Sequence, residues 1–183
     1  MARVLVPLAE GCEELEAVTI MDLLRRAGID VVSAGLKPGI VKASRGTQLV
    51  PDVTLDTALQ DEYDMVVLPG GMPGAQHLKE DARVIALVQK MAAAGRFTAA
   101  ICAAPMVLAE AGVLAGKVVT SYPGFLDKMN LADVTYRTDA VVRDGSVITS
   151  RGPGTAMDFA LALIEALAGT EKRRQVEAEL VRA

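Results

Sequence analysis

Cys102 stands in AAICAAP, residues 99–105, where a predicted strand gives way to a predicted helix. A cysteine among small apolar residues has two readings. It packs as an inert small hydrophobe, or it is a nucleophile on a sharp strand-to-helix turn. On such a turn small neighbours relieve crowding and the side chain points out of the sheet. Ala99, Ala100, Ala103 and Ala104 meet that requirement, and Pro105 suits a first helical turn. A helix N-terminus at this point is expected to lower the thiol pKa and favour the thiolate. The segment by itself leaves both readings open.

Glu16 decides between them. Plotted at ~100° per residue, the stretch 13–28 places Ile20, Leu23, Leu24 and Ala27 on one apolar face. Glu16 falls on that face, while Thr19, Asp22 and Arg26 lie opposite. A carboxylate on a core face is costly unless paired or neutralised. No basic residue shares the face, so protonation with a raised pKa is expected. A protonated carboxyl can donate to a thiolate. This differs from a Cys–His pair, in which histidine is the base, and the chain's one histidine is His77. The third component is PGG at 69–71, whose glycines let backbone N–H groups approach an anion. An oxyanion hole needs such donors beside the nucleophile.

These residues need a frame. RVLVPL, DVVSAGL, DMVVLPGG, FTAAIC, KVVTSYPG and SVITS read as strands, and EELEAVTIMDLLRRAG, ARVIALVQKMAAAG, AAPMVLAEAG and AMDFALALIEALAG as helices. IVKAS and TQLVPD flank Arg45-Gly46 as a small hairpin, and VTYR and AVVRDG read as further strands. TEKRRQVEAEL reads as a separate charged terminal helix. The alternation predicts an α/β fold over residues 1–183, one domain, with a mainly parallel sheet and helices on both faces. Ligands in such sheets bind beyond the carboxyl ends of the strands. That rule selects the loops 9–14, 69–75, 101–105 and 120–124, all of which follow predicted strands.

Composition bounds the function. Hydrophobic residues make up 51% of 183, aromatics 3%, and tryptophan is absent, so the core is aliphatic, as a parallel sheet between helices requires. The net charge is −4 and the basic residues are scattered, which argues against nucleic acid as a primary ligand. No run approaches the ~20 apolar residues of a membrane span, and MARVLVPLAEG reads as a first strand rather than a signal peptide. Two cysteines make no disulfide framework. A soluble cytoplasmic protein is expected. One histidine with scattered acids supplies no metal site, so His77 reads as a surface residue and no metal or cofactor is expected.

EGCEELEAVTIMDLLRRAG (10–28), YDMVVLPGG (63–71), AAICAAP (99–105) and TSRGPGTAMDFALALIEAL (149–167) together resemble the ThiJ/PfpI superfamily. Within it they are most similar to the small YajL-like branch, related to the parkinsonism-associated protein deglycase. The resemblance spans nearly the whole chain. It implies a flavodoxin-like three-layer sandwich and a homodimer. It assigns the nucleophile to Cys102, the protonated acid to Glu16, and the backbone donors to Gly71 and Ala103 with Gly70 adjacent. It also implies that Arg45 lies near the partner subunit's site. Arg26 is a similar candidate for binding an anionic group. Two departures matter. Protease-like members carry histidine directly after the cysteine, where this chain has Ala103, which weakens a peptidase reading. Some relatives carry histidine where this chain has Tyr122, which can hydrogen-bond but does not titrate near neutral pH.

Two functions follow from the resemblance. The first is a cofactor-independent glyoxalase or deglycase, acting on methylglyoxal, glyoxal or their early adducts on amines. The alternative is a redox-sensing stress protein or chaperone in which oxidation of Cys102 changes the binding of client proteins. Cys12, in the loop after the first strand, is a candidate redox partner for Cys102 or a simple small loop residue. Leu15 and Val18 sit off the core face of the first helix and are expected at a dimer contact.

Overall fold

The computed structural model describes residues 1–182. β1 (Arg3–Leu8), α1 (Glu14–Arg26) and β2 (Asp30–Gly35) open the chain. A hairpin of β3 (Val41–Lys42) and β4 (Gln48–Leu49) turns at Arg45-Gly46, followed by β5 (Val53–Thr54) and the single-turn α2 (Leu55–Ala58). β6 (Met65–Leu68) leads into α3 (Gly74–Glu80) and α4 (Ala82–Ala93), and β7 (Phe97–Ile101) into α5 (Pro105–Glu110). Then come β8 (Val118–Val119), β9 (Thr135–Tyr136), the hairpin β10 (Val141–Asp144) and β11 (Val147–Ser150), and α6 (Ala156–Glu179).

Seven strands form the main sheet in the order β10-β11-β7-β6-β1-β2-β5. Only the β10–β11 pair is antiparallel. The strands are short apolar runs because both faces are covered. Alternation along β1 sends Val4, Val6 and Leu8 to the face under α1 and α6, and Leu5 to the face under α3, α4 and α5. Val67, Ala99 and Ile101 join the first face, and Val66, Leu68 and Ala100 the second. This is the flavodoxin-like three-layer sandwich. The chain steps outward from β1 to β2 and then returns to β6 on the other side of β1. Such a reversal of direction opens a crevice at the carboxyl edge.

The two helices predicted at the end of the chain are both present within α6, separated at Gly169 (φ 86°, ψ 168°), whose non-helical backbone glycine tolerates. Two elements differ from the sequence reading. α3 has no element of its own in the sequence reading, because its seven residues bury only Gly74, Ala75 and Leu78 and show no apolar stripe. KVVTSYPG contributes no strand to the main sheet. Only Val118 and Val119 are extended, and they pair with β9 in a separate two-stranded sheet. Among the described residues no helix is long and apolar enough to cross a membrane.

Candidate active site

Cys102 follows β7 directly and adopts φ 64°, in the left-handed region. That conformation is uncommon for a residue with a Cβ and costs roughly 1–2 kcal/mol. Hydrogen bonds on both sides hold it there. The Cys102 N–H donates to the Ser150 carbonyl at 3.0 Å, and its carbonyl accepts from Tyr122 N–H at 2.8 Å. The turn points the thiol toward the backbone N–H groups of Gly71 and Ala103 and the carboxyl of Glu16.

Glu16 is fully buried on the core face of α1, beside Ala17, Ile20, Leu23 and Leu24. Its Oε2 accepts from Gly70 N–H at 2.8 Å, and its Oε1 is buried with no hydrogen-bond partner in the protein. The Gly70 carbonyl accepts from Glu13 N–H at 2.9 Å, so both ends of that residue are clamped by the first turn of α1. Glycine is required here. A Cβ at position 70 would fall 2.5 Å from the Cys102 Cβ and 2.7 Å from Glu16 Oε2. Gly71 has φ 87°, and a Cβ there would collide with the Glu13 backbone nitrogen.

Burial pushes the Glu16 carboxyl up to about 7, against the opposing pull of the Gly70 N–H and the Cys102 thiol. Burial, and then the Glu16 charge, push the Cys102 thiol up to about 12, although the Gly71 and Ala103 N–H groups draw it down. This corrects the expected lowering of the thiol by a helix N-terminus. α5 has only six residues, and desolvation together with a neighbouring carboxylate outweighs its dipole. Between about 7 and about 12 the pair therefore holds one proton and one negative charge between Sγ and the carboxyl. When the proton sits on Glu16, its repulsion of sulfur vanishes and two N–H groups remain to stabilise the thiolate. A buried thiol, a buried carboxyl and two convergent N–H groups can perform nucleophilic addition to a carbonyl with proton transfer.

Residues 2–166 match the DJ-1/PfpI family. The chain belongs to that family. It is 48% identical over 174 residues to the protein dj-1beta of Drosophila melanogaster, covering 94% of this chain and 92% of the fly protein. It is 39% identical over 171 residues to a Caenorhabditis elegans protein named glutathione-independent glyoxalase DJR-1.2, covering 93% and 90% of the two chains. The fold matches a structure of oxidized Toxoplasma gondii DJ-1 with a TM-score of 0.95 at 39% identity, over the full length of both chains. The DJ-1/PfpI family thus includes a named glyoxalase that needs no glutathione.

Gly70 lies in the site, but its N–H is committed to Glu16, so the free donors at sulfur are those of Gly71 and Ala103. Tyr122 is beside Cys102 through its backbone N–H, which donates to the Cys102 carbonyl, with its ring packed over Gly152 and edge-on to Phe125. Arg45 is exposed at the tip of the β3–β4 turn, and its side chain forms no ion pair among the described residues. Arg26 is not brought to the site of its own chain. It lies ten residues beyond Glu16 on α1, about 15 Å along the axis, and pairs with Asp22 at 2.9 Å. Cys12 is fully buried and unbridged, its thiol pushed up to about 12 by burial and then by Glu14. His77 is half-buried, with Nδ1 against the Glu10 carbonyl at 2.9 Å. No group of three His, Cys, Asp or Glu side chains among the described residues could hold a metal ion.

Sequence reasoning missed the residues that tie the frame together. Glu14 accepts from Arg45 N–H at 3.0 Å and Thr47 N–H at 3.3 Å. Against the upward push of burial, these bonds and its own backbone N–H hold its carboxyl down at about 2. Glu13 shares Ser44 Oγ with it. The signal was present in EELE at a helix start beside an SR turn, where only Glu16 stands on the core stripe and draws notice.

Proposed function

We propose that this protein is a cysteine-dependent, cofactor-independent glyoxalase acting on α-oxoaldehydes such as methylglyoxal and glyoxal, and on their early adducts with amines. The observation that carries the reading is the buried Glu16 carboxyl at the left-handed Cys102, with Gly71 and Ala103 N–H groups at sulfur. Glu16 takes the thiol proton, and Sγ adds to the aldehyde carbon to give a hemithioacetal. The oxyanion that forms is stabilised by the backbone donors. Glu16 gives its proton to that oxyanion, then moves a proton from the aldehyde carbon to the neighbouring carbonyl carbon through an enediol, which oxidises the first carbon and reduces the second. The resulting thioester is hydrolysed by water, releasing a 2-hydroxy acid and the thiolate. Methylglyoxal and water thus become lactate and a proton, with no external oxidant or reductant. The unpartnered Glu16 Oε1 is the atom left free for these transfers. The test is lactate release from methylglyoxal without added thiol, comparing wild type with Cys102→Ser. Cys102-dependent lactate supports the reading, and lactate equal to the variant's background from folded, reduced protein overturns it.

One observation favours a second reading. A relative with the same fold was solved in an oxidized form, and the groups that hold a thiolate here would also hold a sulfinate. In that case two hydrogen peroxide molecules convert the Cys102 thiolate to a sulfinate and release two waters. The altered charge then changes binding to client proteins. On either reading we place a homodimer contact at Leu15 and Val18 of α1, which are 51% and 45% exposed. A monomeric mass in solution at micromolar concentration would rule that contact out.

A further inference from the structure

A second cleft opens at the carboxyl edge of the sheet, on the far side of β1 from Cys102. It lies between the loop after β2 and the α3–α4 junction and holds about 390 Å³. That volume is within the roughly 300–1,000 Å³ of small-molecule pockets. None of its lining residues belongs to the Cys102 site. Leu36, Pro38, Ile40 and Val41 supply an apolar wall, with Ile40 55% exposed at the lip.

Three observations narrow the ligand. All three guanidinium nitrogens of Arg83 are engaged. Its Nε and Nη2 donate to Asp81, its Nη1 to Asp56, and its Nη2 also to the Leu36 carbonyl. It therefore braces the wall and offers no anion receptor. His77 is fixed in one tautomer. Its Nδ1 faces the Glu10 carbonyl, which can only accept, so Nδ1 carries the proton and Nε2 of the neutral ring is an acceptor. The remaining charge is negative. Glu10, Glu80 and Asp81 line the cleft with Arg83 and Lys37; among the described residues neither Glu10 nor Glu80 forms an ion pair, Glu10 Oε1 accepts from Lys42 N–H and Glu80 Oε1 from Gln76 Nε2, and Oε2 of each is left for a ligand.

We infer that this cleft binds a primary alkylammonium group on a short apolar chain. The ammonium donates to His77 Nε2 and to the Glu10 and Glu80 carboxylates. The chain lies along Pro38 and Ile40. The same chemistry is offered by a free aliphatic amine and by a lysine side chain of another polypeptide. The inference goes beyond the proposed reaction and does not depend on it.

The test is an NMR titration that reads the His77 ring and the Ile40 methyl groups. The probes are n-butylammonium, its uncharged analogue n-butanol and its anionic analogue n-butyrate. Saturable shifts confined to the cleft, with a millimolar Kd, are expected for butylammonium, weaker ones for butanol and none for butyrate. The double variant Glu10→Gln/Glu80→Gln should weaken butylammonium by about tenfold. Both residues are exposed, and an otherwise unchanged spectrum will show that the fold is retained. A second arm uses Nα-acetyl-lysine methylamide. Tighter binding of that probe identifies a polypeptide lysine as the source, and preference for butylammonium identifies a free amine. Shifts that do not saturate, equal response to butanol, or unchanged affinity in the double variant would overturn the inference.

Discussion

Cys102 and Cys12 invite comparison. Each follows a strand of the main sheet at its carboxyl edge, each is buried, and each thiol is pushed up to about 12, chiefly by burial. Proton affinity therefore does not tell them apart, and their partners do. Around Cys12 the charges are the carboxylates of Glu14, Glu13 and Glu10. Glu14 is already committed to the 44–47 turn. The Cys12 backbone is tied to Ala9 and Ser44, and Gly74 packs against it so closely that it has no room for a Cβ. Around Cys102 the carboxyl of Glu16 is buried with the sulfur, has a free oxygen, and is accompanied by two N–H groups aimed at the thiol. On the proposed reading, the nucleophile is the thiol buried together with its own proton acceptor, and the thiol buried with committed or solvated acids is packing.

The sharpest way to break that contrast is to remove each sulfur. Cys102→Ser should abolish lactate formation from methylglyoxal, whereas Cys12→Ala should leave kcat/KM within about twofold, as expected for a group outside the reacting atoms. An equal loss in both variants would erase the distinction. The next largest effect concerns the shared proton. Glu16→Gln keeps an acceptor for Gly70 N–H but cannot carry a proton, so kcat should fall by about 10²- to 10³-fold. The same change removes the carboxylate that raises the thiol. Iodoacetamide should then alkylate Cys102 faster at pH 8 than in wild type, with Cys12 unlabelled in both. Slower alkylation would mean that Glu16 assists the thiolate more than it repels it.

The pair also makes stability depend on pH. Glu16 ionises near 4.5 when unfolded and at about 7 when folded. Between those values the folded chain binds more protons than the unfolded chain, so stability is full below pH 4.5 and declines as pH rises through about 7. The shift corresponds to roughly 3 kcal/mol. Denaturant midpoints of wild type should fall across that window, while Glu16→Gln should be flat where other carboxyls permit. Parallel curves would place the buried charge elsewhere.

Much of this was readable in advance, for definite reasons. Glu16 stands out because a carboxylate on an apolar stripe violates the pattern that builds α1. Cys102 stands out because ICAAP marks a strand end and a helix start at once. The three-layer sheet follows from apolar runs alternating with amphipathic ones. What sequence alone hides is which group uses which partner. Gly70 looks like an oxyanion donor until Oε2 of Glu16 is seen to occupy its N–H. α5 looks like a source of positive potential until its length proves to be six residues. The first turns on a competing acceptor and the second on burial beside a carboxylate, and only the packed site reveals either.

The smallest expected effect tests the backbone half of the contrast. Cys102 is left-handed, with φ 64°, and Cys12 is not among the residues with positive φ. Replacing each by alanine and by glycine removes the same sulfur, so the alanine–glycine difference at each site isolates the Cβ. At position 102 glycine relieves the left-handed penalty and should be more stable than alanine by about 1 kcal/mol. At position 12 glycine only loosens the unfolded chain, so alanine should be the more stable by about 0.5–1 kcal/mol. Thermal or urea midpoints of the four variants would show the crossover. The same sign at both positions would mean that the strand-to-helix turn stores no strain at Cys102. The turn at Cys102 would then be an intrinsic preference of the loop, not one imposed by the bonds to Ser150 and Tyr122.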